Sequence, residues 1–254
     1  MYQQNPMPEE RRIARTEWLY GDETHVGCID DSKNTGPREQ APGWVRVLSI
    51  DPSPTRKAGL VVLDAYRPTW EATEFDVEVL EMVHEPMTVH NMVEHIDRVW
   101  RTYRPQYFIF ETVAAQRWFL QDKDMEFFKG VMQVIPHVTQ HNKADANLGV
   151  ESLALDFELG RIQMPYGDAD SRNMTENFFD QARTYPEGRY DDLLMALWFI
   201  KWNFNRLQPL VIMEAEDDPY AYQVPGYVAR DGYGTPPRPD YAPPLAAGVP
   251  ARSN

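Results

Sequence analysis

The 254-residue chain is 43% hydrophobic and carries seven Trp, enough to bury one sizeable core. Its single cysteine, Cys28, excludes an intrachain disulfide framework and a Cys-based zinc site, and no apolar run reaches the ~18 residues of a membrane span. A formal net charge of −14 disfavours non-specific adhesion to nucleic acid, yet an acidic chain can still hold divalent metals in carboxylate clusters.

Residues 1–43 read as polar and irregular, ending in the linker-like "DSKNTGPREQAPG"; the opening "MYQQNPMPEERR" lacks the apolar region of a secretory signal. "VRVLSID" (45–51) and "AGLVVLDAY" (58–66) are buried-type strands, and "FDVEVLEMVHE" (75–85) alternates like a half-exposed third, which suits three consecutive antiparallel strands. Helical spacing of Val89, Met92, Val93, Ile96, Val99, Trp100 and Tyr103 predicts a helix over 88–103, closed by Pro105. "QYFIFE" (106–111) follows as a buried strand. Then come a helix in "AQRWFLQDKDMEFFKGV", a strand in "VIPHVTQ", a helix in "LGVESLALDFELG" stopped by Gly160, and a brief strand in "RIQMP". "SRNMTENFFDQART" opens on a Ser cap, and 191–204 is the last helix, with Trp198 and Trp202 in the core. Three strands followed by alternating helices and strands predict an α/β domain with a mixed sheet over 44–207. From 208 the chain turns rich in Pro, Gly and Tyr without a period, and is read as a disordered tail.

The acids fall at telling places. Asp51 ends the first apolar strand and Glu111 a later one, at the carboxyl edge where α/β sheets receive ligands. Asp191 and Asp192 open the last helix in "PEGRYDDLLMALWFIKW". Taken singly, each has an ordinary explanation: turn chemistry for Asp51 before Pro52, a helix-start charge for Glu111, an N-cap for Asp191. Taken together, if the first and fourth strands are parallel neighbours, they would form a pocket of hard oxygen donors that selects Mg²⁺ or Mn²⁺. Such a site suits phosphodiester hydrolysis, with two ions activating water and stabilising the leaving oxygen. Isolated His137 and His141 are read as surface residues and not as ligands. Arg117 and Trp118 either brace a nucleic acid or start a helix.

"VLSIDPS", "YFIFET" and "PEGRYDDLLMAL", in this order, resemble the nuclease domain of tailed-phage terminase large subunits, which has the ribonuclease-H-like fold. "NKADANLGVESLALDFELGRIQMP" resembles the segment between that family's second and third acids, and "MYQQNPMPEERRIARTEWLYG" its passage from motor domain to linker; the likeness runs from residue 1 to about 205. The resemblance implies a ribonuclease-H-like mixed sheet, residues 1–43 as the end of an upstream motor region, and a metal-dependent endonuclease that cuts concatemeric double-stranded DNA in genome packaging. It makes Asp51, Glu111 and the Asp191–Asp192 pair the catalytic acids and ligands for two Mg²⁺ or Mn²⁺ ions, with Asp192 the expected ligand and Asp191 the expected cap. It implies, too, a motor domain, a small subunit and a portal protein as partners in the host cytoplasm. Arg56, Lys57 and Lys143 are the residues expected against DNA, each also readable as a solvated loop cation. The family's motor carries a G-x-x-x-x-G-K-[ST] loop that this sequence lacks, so the chain is expected to be the C-terminal part of such an enzyme. A Holliday-junction-resolvase-like nuclease of the same fold and a non-catalytic assembly module are the alternatives.

Overall fold

The structure, a computed structural model, describes residues 12–53, 57–112, 123–139, 141–145 and 147–208. Its strands are β1 (Ile29–Asp30), β2 (Trp44–Asp51), β3 (Lys57–Tyr66), β4 (Val77–Pro86), β5 (Tyr107–Glu111), β6 (Gln133–His137) and β7 (Ile162–Pro165). Its helices are α1 (Thr16–Tyr20), α2 (Val89–Tyr103), α3 (Lys123–Val131), α4 (Leu153–Glu158), α5 (Ala169–Thr184) and α6 (Asp192–Trp202).

Alternation of apolar residues makes β2, β3 and β4 two-faced, and they pair antiparallel in sequence order, β2 with β3 and β3 with β4. β5 then lies parallel beside β2, β6 parallel beside β5, and β7 parallel beside β4, giving the sheet order β1-β7-β4-β3-β2-β5-β6. This is the mixed α/β sheet expected, three antiparallel strands and then parallel ones.

Odd-numbered Val45 and Val47 of β2 face one core, while Leu48 and Ile50 face another. The first core holds α6, whose residues Leu193 to Ile200 are all buried, together with apolar residues of α1, α4 and α5. A helix apolar on every side has to be wrapped by its neighbours, and α6 is. The second core sets Met92, Ile96 and Val99 of α2 and Met125 and Phe128 of α3 on the opposite face. Each buried Leu or Phe side chain there contributes about 1.5–3 kcal/mol.

Three expectations need correction. Residues 13–30 do not behave as an irregular linker: Ile13, Ala14, Trp18, Leu19 and Cys28 are buried in the first core, and β1 pairs with β7. Apolar residues beside a short helix and a two-residue strand find partners that no local period announces. α5 starts on Asp168, whose carboxylate accepts the Ser171 N–H and Oγ–H at 2.8 and 2.6 Å, so Ser171 is the capped residue and not the cap. The predicted helix over 148–160 is a short 3₁₀ turn, Val150–Ser152, running into α4. It ends as foreseen at Gly160, whose φ of 63° suits a residue without Cβ. The early half of the helix predicted before β6, with Arg117 and Trp118, lies outside the described residues, as do Arg56 and the tail beyond residue 208.

Candidate active site

Strand register assembles one row of side chains along the carboxyl edge. Asp51 is paired with Gly59, Gly59 with His84, and Glu111 with His137. β2 and β5 run in register through Ile50 and Phe110, which sets Asp51 beside Glu111 at the strand ends. The pleat turns this row to the face that carries α6, since Val47 and Ile109 earlier on the same strands belong to that core.

α6 brings the third acid. Gly59 leaves space that a side chain would fill: a Cβ there would lie 2.3 Å from the Asp192 carbonyl oxygen and 2.4 Å from its carbonyl carbon. The first turn of α6 is therefore pressed onto β3, next to the strand that ends in Asp51. A glycine near the start of a strand is a mark of close backbone approach, and that signal in "KAGLVV" was open to notice in the sequence.

The resulting carboxylates crowd one another. Burial, the Glu111 charge, a hydrogen bond shared with Glu111 and the Asp192 charge push the Asp51 carboxyl well above the usual carboxylate range; Lys143 pulls the other way. Elsewhere in the sheet, between β2 and β3, an acid is satisfied. Asp64 of β3 takes Nε and Nη2 of Arg46 on its two oxygens at 2.7 and 2.8 Å, a buried bidentate pair. Asp51 has a second carboxyl, Glu111, as its hydrogen-bond neighbour where Asp64 has a cation. As the side chains stand, no three His, Cys, Asp or Glu among the described residues are arranged to hold one ion. The donor set nonetheless fits a hard divalent cation: the Asp51 carboxyl is buried and acted on by the charges of Glu111 and Asp192, with one lysine nearby.

His84, unremarked in the sequence, belongs to this group. Its side chain is 1% exposed and its Nε2 lies 3.0 Å from Asp192 Oδ2. Only strand alternation in "LEMVHEP" pointed to it, ending β4 at the same edge as Asp51 ends β2. The Tyr190 ring meets His84 edge-on at 5.1 Å, and Lys57 Nζ and Arg189 Cζ lie 5.3 and 5.1 Å from the centre of that ring. Lys57 and the unforeseen Arg189 thus stand together at the rim. Lys143 sits half-buried on the 3₁₀ turn His141–Ala144, near enough to act on both Asp51 and His137.

Asp191 is placed differently from Asp192. It occupies the N-cap position of α6 without a side-chain cap bond, and its charge acts on Tyr185. The capping role expected of its side chain is not the one observed: Gln181 of α5 reaches across and accepts the Leu193 N–H on Oε1 at 2.9 Å. His137, expected at the surface, is 2% exposed and stacked on Phe199 at 4.3 Å. Burial, with Arg206 and Lys143 adding, pushes its imidazole down to about 4.

The sequence matches no protein-family model and no curated protein. Among solved structures, the chain is similar to the large terminase nuclease from thermophilic phage G20c, at 14% identity and a TM-score of 0.42, over 66% of this chain and 92% of that one. It is similar to T. thermophilus RuvC in complex with a Holliday junction substrate, at 13% identity and a TM-score of 0.39, over 63% and 94%. Likeness to the large terminase of a second thermophilic bacteriophage, in complex with ADP, covers 67% of this chain and 42% of that one, at 13% identity and a TM-score of 0.41.

Proposed function

We propose that the chain is a metal-dependent endonuclease of double-stranded DNA, the nuclease part of a phage terminase large subunit, cutting concatemers as genomes are packaged in the host cytoplasm. The observation that carries the reading is the convergence of Asp51, Glu111 and Asp192 on one sheet edge without a compensating set of cations among the described residues. The order of "VLSIDPS", "YFIFET" and "PEGRYDDLLMAL" supports the finer assignment to packaging, and with it the motor domain, small subunit and portal protein as partners.

In this reading Asp51, Glu111 and Asp192 would hold Mg²⁺ or Mn²⁺ through their carboxylate oxygens. A bound pair of ions would supply an activated water and charge stabilisation at the leaving oxygen. Asp191, at the N-cap of α6, is left out of the ligand set in this reading. Lys143 is placed to meet a phosphate beside the acids, and Lys57 and Arg189 to hold the backbone at the rim, contacts that position DNA without reading bases.

Plasmid nicking in Mn²⁺, in Mg²⁺ and with a chelator tests this directly. Nicking is expected with either metal and is expected to stop with chelator and in the Asp51→Ala, Asp192→Ala double variant. Cleavage that survives the double variant ends the assignment of these residues, and strong preference for four-way junctions over duplex would move it to junction resolution.

A further inference from the structure

We infer that His84 and Gln181 are positioning residues that fix Asp192 in one orientation for a divalent cation; the inference rests on the proposed metal-dependent reading of the acid cluster. The Leu193 backbone N–H can only donate, and it lies 2.9 Å from Gln181 Oε1, so the amide has one orientation. Its NH₂ group then faces His84 Nδ1 at 3.2 Å, with the Asn177 amide nitrogen at 3.4 Å from the same atom. Nδ1 is therefore an acceptor and the ring proton sits on Nε2. That proton points at Asp192 Oδ2, 3.0 Å away.

The relay runs from the α6 backbone, through a side chain of α5, through a side chain of β4, and back to the first residue of α6. It engages Oδ2 and leaves Oδ1 as the oxygen a cation can take. Tyr190 closes one side of the imidazole edge-on, and the ring is buried, so it has no freedom to turn away. Gln181 has a second duty in the same bond, because it supplies the cap that Asp191 does not. Outer-shell donors of this kind hold a ligand's orientation and tune its basicity.

The test is Mn²⁺ affinity of the purified full chain, read by electron paramagnetic resonance of the free ion, for the parent and for His84→Leu, His84→Gln, Gln181→Met and Asp192→Asn. His84→Leu is expected to weaken Mn²⁺ binding by about 10–100-fold. His84→Gln, which keeps an N–H donor near the position of Nε2, is expected to recover most of that loss, and Gln181→Met, which never touches Asp192, to weaken binding as well. A purely structural histidine would give no rescue by Gln. If His84→Leu binds Mn²⁺ like the parent while Asp192→Asn does not, this inference alone falls. If the parent takes up no Mn²⁺, the nuclease reading fails and this inference with it. Should His84→Leu fail to fold by near-ultraviolet circular dichroism, His84→Gln and Gln181→Met decide: parent-like binding in the first with weakened binding in the second upholds the inference, and any other outcome overturns it.

Discussion

α5 and α6 both begin on an aspartate, and the two aspartates do different work. At α5, Asp168 turns its carboxylate into the helix, accepts the Ser171 N–H and is held below the usual carboxylate range by those bonds. At α6, Asp191 makes no such bond, and Asp192 turns away from the helix to His84 and toward the acids at the sheet edge. The orphan N–H of α6 is instead met by Gln181, a residue of the helix before it. Capping is done by a neutral amide, and the Asp192 charge is directed to the pocket. Asp168 is satisfied within its own helix, whereas Asp51 is buried beside the charges of Glu111 and Asp192.

The largest effect separates the two helix starts by the same substitution. Asp168→Asn keeps a good cap, since Asn accepts the same N–H, and both cleavage and melting temperature are expected to stay at the parent's values. Asp192→Asn still offers His84 an acceptor, so the fold is expected to persist, but Mn²⁺ binding and plasmid nicking should drop by more than the ~100-fold that an outer-shell change costs. Titration with Mn²⁺ and a thermal melt on both variants check this; equal nicking in the two would erase the distinction. Gly59→Ala comes next. Its Cβ would collide with the Asp192 carbonyl, which must move with the first turn of α6. Overpacking of this kind costs about 1–3 kcal/mol. A shift of about 1 Å in a reacting group costs ~10²-fold in rate. Denaturant melts and nicking rates together test it, and a parent-like rate would mean that α6 is free to relax without consequence for the acids.

Part of this was legible in the residues. The apolar runs "VRVLSID" and "QYFIFE" gave both strands and placed Asp51 and Glu111 at their ends, while the parallel pairing of the first and fourth strands was a supposition that the register of β2 and β5 bears out. The doubled aspartate of "RYDDLL" was visible as too much charge for one cap. The rest depends on contacts between distant segments. His84 and Asp192 are 108 positions apart, and Gln181 looks in sequence like any polar helix residue, so no local period reveals their bonds. The choice between Asp168 and Ser171 as the α5 cap was a choice between two good capping residues that only backbone geometry makes. α1 and β1, five and two residues long, are shorter than any repeat that would announce them.

The smallest effects are those on stability alone. Asp168→Ala removes a side-chain cap and is expected to lower the melting temperature by about 2–4 °C while leaving nicking unchanged. Because the bonds from Ser171 hold the folded carboxyl below its unfolded value, the stabilisation is present at neutral pH and is lost as the pH falls through the folded pKa. The gap between parent and Asp168→Ala should therefore close in acid, below the carboxylate range of ~4. Asp191→Ala removes a residue whose side chain makes no cap bond, and its effect on the melt is expected to lie within about 1–2 °C of zero at neutral pH, the range of an ordinary surface change. A drop as large as that of Asp168→Ala, with the same disappearance in acid, would show Asp191 capping α6 in solution. Gln181 would then lose its claim to that helix, and the two helix starts would differ in position only.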